Sequence, residues 1–213
     1  MKMKFTKKRA MVVSLVVSMI AILSFSTLAW FNAKDDITNK FMIADSDNNG
    51  TPDFSVDVWE GDASAKDQDG MEFTNILPGD VLEKNPTVTN TGDYSQWVRV
   101  HVTFDEWSVI GAACNKYDIK LNEWINVDDS KWDVYDDATV SGDTITYTYY
   151  LNHELVADDS VTLFTKVTIP AAFEQEDMKF ISGDFSITVK AEAIQSAHTG
   201  EKAKEAFENC WEY

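Results

Sequence analysis

Basic residues are scarce in this sequence. The 213 residues contain 18 Lys and Arg against 36 Asp and Glu, which gives a formal net charge of −18 at pH 7. A protein that binds nucleic acid needs a basic surface opposite the phosphates, so the composition argues against a nucleic-acid partner. The acidity instead favours solubility, cation binding and an assembly that responds to ionic strength.

Cysteine is also scarce, because Cys114 and Cys210 are the only two. They allow one disulfide, and two free buried thiols are the alternative. Two cysteines are too few for a disulfide framework. A chain of this length can bury a substantial core without disulfides or metals.

The motifs of the common catalytic sites are missing. A zincin protease needs two His one helical turn apart with a Glu base, whereas His101, His153 and His198 are isolated in the sequence. The sequence contains no Gly-x-Ser-x-Gly elbow, phosphate loop or dinucleotide fingerprint. We therefore predict that the chain is not an enzyme; a zinc site assembled from three distant His is the remaining alternative.

The first 29 residues have the organisation of a signal peptide. A basic start and an apolar middle are followed by Thr27 and Ala29, small residues at the third and first positions before a cleavage site. The polar segment beyond lacks the basic residues of a stop-transfer signal. We predict that cleavage falls between Ala29 and Trp30, and that residues 30–213 form one secreted domain without a membrane span. Cleavage would remove five basic residues and no acidic one, so the charge would become about −23.

Alternation of apolar and polar residues dominates the rest of the chain. Val98, Val100, Val102 and Phe104 alternate with polar residues, which predicts a strand with one buried and one wet face. The turn residues before it predict a β-hairpin at the centre of an antiparallel sheet. Further strands are predicted at residues 39–44, 54–60, 71–77, 132–135, 144–151, 161–169 and 185–193.

Two segments have helical patterns instead. Residues 109–114 predict a short helix in an insertion between strands. At the C-terminus, Ala203, Ala206, Phe207, Cys210 and Trp211 form one helical stripe, with Thr199 as a possible N-cap. The fold class predicted from these patterns is all-β, an antiparallel β-sandwich with a short C-terminal helix.

A loop rich in oxygen ligands follows the first predicted strand. Asp45, Asp47, Asn49 and Asp53 occupy the first, third, fifth and ninth positions of a calcium-type loop, with a glycine at the sixth. Val56 stands where an EF-hand has its bidentate Glu, so the loop is not an EF-hand. It predicts either a calcium site of another extracellular type or a turn closed by Asx side chains.

Several stretches of the chain resemble the TasA/camelysin family. They are the turn Pro78-Gly79-Asp80, the segment Val88–Gly92 followed by Trp97-Val98-Arg99-Val100, and the strand Ala191–Gln195. The junction Thr27–Phe41, with its aromatic pair after the cut, is similar to those processed by SipW-type signal peptidases. Members of the family are secreted by Gram-positive bacteria, and several build biofilm-matrix fibres.

The resemblance implies a secreted structural protein of the extracellular matrix or cell surface, folded as a β-sandwich of jelly-roll type. Fibres would form by donor-strand exchange with copies of the same chain or with related matrix subunits. Residues 30–41 would be the donor strand, with Trp30, Phe31, Ile37 and Phe41 as its anchors. A camelysin-type metallo-endopeptidase and a monomeric calcium-binding surface module are the alternatives.

Overall fold

The structure, a computed structural model, describes residues 32–36, 39–40, 55–61, 73, 75–134, 138–182 and 185–211. All of them belong to the compact unit Asn32–Tyr213. Antiparallel β-sheets and two short α-helices make up this part of the chain, so the predicted all-β class is confirmed. The predicted signal peptide lies outside the described residues.

Twelve strands are found in the described residues: β1 (Asn32–Asp36), β2 (Asn39–Lys40), β3 (Val56–Trp59), β4 (Val81–Glu83), β5 (Thr87–Asn90), β6 (Gln96–Phe104), β7 (Trp132–Val134), β8 (Thr139–Ser141), β9 (Thr144–Leu151), β10 (Ser160–Thr162), β11 (Lys166–Thr168) and β12 (Ile187–Gln195). The α-helices are α1 (Trp107–Tyr117) and α2 (Ala203–Trp211). Two 3-10 helices span Leu121–Trp124 and Asp177–Ser182.

The largest sheet has seven strands in the order β2-β1-β12-β6-β9-β7, with β8 also paired to β9. Its longest ladder joins β6 to β12 over nine residue pairs. The predicted alternation of β6 is confirmed, because Val98, Val100, Val102 and Phe104 are all fully buried. The face on which Arg99 lies is the outer face of this sheet.

Two smaller sheets complete the strands, in the orders β10-β5-β3 and β11-β4. Their apolar side chains join those of the seven-stranded sheet and of α1 in one buried cluster. The cluster includes Val88 from β5, Val167 from β11 and Val100 from β6. One hydrophobic core therefore connects the three sheets and supplies most of the driving force for folding.

The predicted central hairpin is wrong, because β5 and β6 lie in different sheets. The reason is a buried pair of side-chain amides at the corner between them. Asn90 Nδ2 donates to the carbonyls of Tyr94 (2.9 Å) and Leu155 (2.8 Å), and Asn90 Oδ1 accepts from Gln96 Nε2 (2.6 Å) and from the backbone of Gly92 (3.0 Å). These bonds satisfy the Asn90 side chain within the corner, although Gln96 Oε1 is buried without a hydrogen-bond partner, and they stabilise the crossing of the chain to the other sheet.

The single strand predicted at residues 161–169 is also wrong, because the segment is divided between β10 and β11. Leu163 and Phe164 are consecutive and both 1% exposed, which interrupts the alternation between the two faces. Beyond this bend, Asn126 Oδ1 accepts a hydrogen bond from the backbone of Lys166 (2.8 Å). A side chain thus binds the backbone where β11 begins.

Several other strand predictions are confirmed: residues 54–60, 132–135 and 144–151 contain β3, β7 and β9, and residues 185–193 overlap β12, which begins two residues later and extends to Gln195. Of residues 39–44, only Asn39 and Lys40 are described, and they form β2. The described residues of the stretch 71–77 belong to no strand, and β4 begins later, at Val81. The turn Pro78–Gly79 lies between them, held by a hydrogen bond from the Gly79 backbone to the carbonyl of Ile169 (3.0 Å).

Both predicted helices are present. The first extends beyond residues 109–114 to Trp107–Tyr117, and Asp143 caps it from the β8–β9 turn by accepting from the backbone of Ser108 (2.6 Å). None of the helices in the described ranges is long and apolar enough to cross a membrane.

The C-terminal helix begins at Ala203, and the predicted N-cap is wrong. The Thr199 hydroxyl donates to the carbonyls of Gln195 (2.7 Å) and Ser196 (3.0 Å), which lie at the end of β12. The Thr199 side chain therefore binds backbone carbonyls at the C-terminal end of β12 and does not cap the helix. The helical stripe itself is confirmed, because Ala203, Ala206 and Phe207 are buried.

Candidate functional site

The residues predicted to act in cleavage, assembly and calcium binding lie outside the described residues: Ala29, Trp30, Phe31, Ile37, Phe41, Asp45, Asp47, Asn49 and Asp53. Their roles stay predictions. Within the predicted donor strand 30–41, the structure describes β1 and β2. The candidate functional site is therefore the place where β1 is bound.

β1 is bound by β12, the last strand of the same chain. The two strands are antiparallel, and their paired residues are Asn32↔Ile194, Ala33↔Ala193, Lys34↔Glu192 and Asp35↔Ala191. On its other side β1 pairs with β2. The residues that follow the predicted cleavage site thus form a main-chain ladder inside the seven-stranded sheet.

The two faces of β12 differ in chemistry. Val189, Ala191 and Ala193 are buried in the core, whereas Lys190 and Glu192 lie on the outer face. Because directly paired residues of antiparallel strands share a face, the register positions of β1 alternate in the same way. Lys34 lies at a position on the outer face, and Ala33 lies at a position on the core face.

A charged cluster lies on the outer face beside this ladder. Arg99 of β6 is directly opposite Glu192 and donates to its Oε2 atom from Nε (2.8 Å) and from Nη2 (2.6 Å). His101 Nε2 is 3.4 Å from the same oxygen. Glu192 is only 5% exposed. The carboxylate of Glu192 is therefore a fixed charge between Arg99 on one side and the register position of Lys34 on the other.

The ionisation of Glu192 follows from these contacts. Burial alone would raise the pKa of its carboxyl group, but the hydrogen bonds from His101 and Arg99 and the charge of Arg99 outweigh burial and hold the pKa at about 2. Glu192 consequently carries a negative charge at neutral and mildly acidic pH.

Neighbouring side chains hold the cluster in place. His101 Nδ1 is hydrogen-bonded to Thr148 Oγ1 of β9 (2.9 Å). The guanidinium carbon of Arg99 lies 4.4 Å from the ring centroid of Phe207 in α2, a cation–π geometry. Phe207 also packs with Trp97 and Ile194, so α2 covers the part of the outer face next to the cluster. The C-terminal helix thus supports the charges that lie beside β1.

A second pair of charges is buried at the end of β3. The Lys84 ammonium forms an ion pair with Glu60 Oε1, and their side chains are 8% and 1% exposed. Nearby, Asn85 exchanges two hydrogen bonds with the backbone of Gly61, at 3.0 and 2.9 Å. These contacts join the segment after β4 to the end of β3.

The two cysteines do not form a disulfide. Cys114 lies buried in α1, and Cys210 lies partly exposed in α2. Burial raises the pKa of the Cys114 thiol to about 11. The thiolate is the reactive form, so Cys114 is an inert core residue.

The His residues differ in their surroundings. His101 belongs to the charged cluster, whereas His153 lies in an exposed turn, where its Nδ1 is 3.0 Å from Asn152 Oδ1. Within the described part of the chain, no group of three or more His, Cys, Asp or Glu side chains could hold a metal ion.

Sequence reasoning missed the charged cluster. The alternation of β6 places Arg99 and His101 on the outer face, and Glu192 is a lone acid between Ala191 and Ala193. Both signals are visible in the sequence. What joins them is the β6–β12 register, which brings together residues 93 positions apart.

No family model matches this chain, and neither a curated protein nor a solved structure matches it.

Proposed function

We propose that this chain is a secreted structural protein that assembles into extracellular biofilm-matrix fibres by donor-strand exchange. In this proposal a signal peptidase of the SipW type removes residues 1–29, and Trp30 becomes the new N-terminus. The mature domain is a β-sandwich of jelly-roll type in the matrix or on the surface of a Gram-positive bacterium. The resemblance to the TasA/camelysin family supports each of these points.

The observation that carries the proposal is the β1–β12 ladder. β1 begins two residues after the expected new N-terminus and binds β12 through main-chain hydrogen bonds. Such bonds depend little on side-chain identity, so β12 can accept the same segment from another copy. The intrachain ladder then represents the closed state of a subunit before exchange.

Exchange converts this closed state into a fibre. When β1 leaves its own β12 and pairs with the β12 of the next copy, each subunit is a donor at one surface and an acceptor at another. Such a head-to-tail contact generates an open filament unless its rotation closes a ring. The anchors proposed for the incoming strand are Trp30, Phe31, Ile37 and Phe41.

The finer fold assignment is supported by the core. All strand pairs in the described residues are antiparallel, and apolar side chains of the seven-stranded sheet and of the two smaller sheets share one buried cluster. Antiparallel sheets packed on one core are the arrangement expected of a β-sandwich, in which the two smaller sheets would together form the layer opposite the seven-stranded sheet. The jelly-roll connectivity is the part that the family resemblance adds.

The charge of the chain bears on assembly. With a net charge of about −23 after cleavage, copies repel one another at low ionic strength. Added salt shortens the range of this repulsion, since the Debye length falls from about 30 Å at 0.01 M to about 8 Å at physiological ionic strength. We therefore expect fibres to grow faster as salt is raised across this range.

The test is electron microscopy of the secreted, purified mature protein at several salt concentrations, combined with N-terminal sequencing. The proposal expects Trp30 as the first residue and filaments of uniform width. A protein that stays monomeric at high concentration in every salt condition would overturn fibre assembly. A start more than three residues away from Trp30 would contradict the cleavage argument.

A further inference from the structure

Along the chain, the outer-face positions of β12 and of β1 each carry a lysine followed by an acid, and because the two strands are antiparallel, each lysine lies opposite an acid. β12 carries Lys190 and then Glu192 on this face. β1 carries Lys34, which pairs with Glu192, and then Asp36. Continuing the same register by two residues brings Asp36 to the position of Lys190. In this register each charged outer-face position of β1 is opposite a charge of the other sign, whereas Asp35, at a core-face position, is opposite Ala191.

Slipped registers lose this complementarity. A slip of two residues in one direction places Asp36 opposite Glu192, and a slip of two in the other direction places Lys34 opposite Lys190. Both put like charges directly across from each other, which destabilises an antiparallel pair. A slip of one residue moves both Lys34 and Asp36 to core-face positions, whereas the native register places only Asp35 at one, and each unpaired charge there is costly.

The surroundings of Glu192 make it suited to discriminate between these registers. The two hydrogen bonds from Arg99 and the neighbouring His101 fix the position of its carboxylate, and its pKa of about 2 keeps it charged. A fixed, poorly solvated charge discriminates between opposite and like partners more sharply than a mobile, exposed one.

We propose that β12 selects the strand it binds by charge order, requiring a cationic residue opposite Glu192 and an anionic residue opposite Lys190. The segment Asn32–Asp36 meets this requirement, whether it comes from the same chain or from a second copy. Where the strand comes from a second copy, this inference rests on the proposed strand exchange; within one chain it stands without it.

Disulfide formation can report the register. In a background with Cys114→Ala and Cys210→Ser, the pair Ala33→Cys and Ala193→Cys reports the native register, because these residues are direct partners. Partner Cα atoms lie about 4.5–5.5 Å apart in antiparallel ladders, which is within disulfide range. The pair Asp35→Cys and Ala193→Cys reports the register slipped by two residues.

The informative variant exchanges the two charges of β1, Lys34→Asp together with Asp36→Lys. Composition and net charge are unchanged, but the native register now holds two like-charge pairs, and the slipped register places a lysine opposite Glu192. We expect the native-register disulfide to fall about tenfold and the slipped-register disulfide to increase. At 1 M salt, where charges are strongly screened, the difference should shrink.

A matched control exchanges charges in another ladder. Glu83 of β4 and Lys166 of β11 are direct cross-strand partners, and both are exposed. The exchange Glu83→Lys with Lys166→Glu should leave both register reporters unchanged. If the exchanged β1 variant fails to fold, the single change Asp36→Lys, which creates only the like pair with Lys190, gives the same comparison.

Non-reducing electrophoresis separates the two sources of the strand. Disulfides within one chain run as monomers, and disulfides between copies run as dimers and higher multimers. If the disulfide yields depend on the charge order but the disulfides form only within monomers, the result would support the charge rule and count against strand exchange. Native-register disulfides that form equally with both charge orders, in monomers and in multimers, would overturn the charge rule.

Discussion

The guanidinium of Arg99 and the carboxylate of Glu192 form a paired contact in which two nitrogens of Arg99, Nε and Nη2, donate to the same oxygen. This contact links β6 to β12 on the outer face of the large sheet, next to the strand β1. Because Arg99 also lies over the ring of Phe207, the contact connects the N-terminal strand with the C-terminal helix.

The first prediction concerns acid stability. The pKa of Glu192 is lowered from its ordinary value of 4.5 to about 2, so its ionised form stabilises the fold. This stability is fully present above about pH 4.5 and is lost as the pH falls through 2, and it amounts to about 3 kcal/mol. Urea unfolding at pH 7, 5, 3 and 2 measures it as the free energy of unfolding.

Glu192→Gln should flatten that pH dependence and lower stability at pH 7, because Arg99 then loses its ionic partner in a mostly buried position. Glu208→Gln, at an exposed position of α2, is the control and should leave the profile unchanged. If Glu192→Gln lost as much stability between pH 5 and pH 2 as the unsubstituted protein does, other carboxyl groups would be the cause of the loss.

The second prediction concerns the corner between β5 and β6. Asn90→Ala removes four hydrogen bonds at a fully buried position and leaves the partner groups without them. At about 1 kcal/mol per bond, we expect a loss of about 3–4 kcal/mol in the free energy of unfolding.

Asn152→Ala is the matched control for this corner. Asn152 also donates from its amide to a backbone carbonyl, that of Ser130 (2.8 Å), but it lies in an exposed turn. Its replacement should cost less than about 1 kcal/mol, because water can replace the lost bond. Equal losses for the two variants in chemical unfolding would contradict a special role of the buried corner.

The third prediction concerns calcium. If Asp45, Asp47, Asn49 and Asp53 bind it, millimolar calcium should raise the melting temperature by mass action, since extracellular loops of this kind bind at about 10⁻⁴–10⁻³ M. Asp47→Ala should abolish the increase. Identical melting curves in calcium and in chelator would leave the segment as a turn closed by Asx side chains.

The sequence predicted the faces of strands better than their partners. Alternation is a local property, so the buried faces of β6 and β9 were predicted correctly, including Val100, Ile145 and Tyr149. Pairing depends on contacts between distant segments. The amides of Asn90 and Gln96 turned a predicted hairpin into a crossing between sheets, and adjacent Leu163 and Phe164, both buried, divided a predicted strand.

The same distinction holds for the candidate site. The family resemblance implied that residues 30–41 donate a strand to another copy, and the local pattern predicted the first strand from residue 39. The structure adds β1 at Asn32–Asp36 and identifies β12 as its partner. Neither the partner nor the opposition of Lys34 and Glu192 follows from local pattern, because each depends on a register between the two ends of the chain.

The last prediction tests the N-terminal segment directly. Deleting residues 30–37 removes β1, whereas the strands that form the common core lie downstream and should still fold. Without β1, the β12 edge has unpaired main-chain groups that can accept the strand of another copy. The truncated chain can therefore accept a strand but cannot donate one. We expect it to form no fibres alone and to stop the growth of full-length fibres when mixed with them.

Phe31→Asp should act in a similar way, because a charge placed in an apolar pocket is costly unless it is paired. Phe31→Leu is its matched control and should assemble normally, since it keeps an apolar side chain of similar size. Light scattering during growth and electron microscopy of the products measure both effects. If the truncated chain formed fibres at the rate of the full-length chain, assembly would have to use a surface other than the β1–β12 ladder, and Phe31→Asp would then grow fibres as fast as Phe31→Leu.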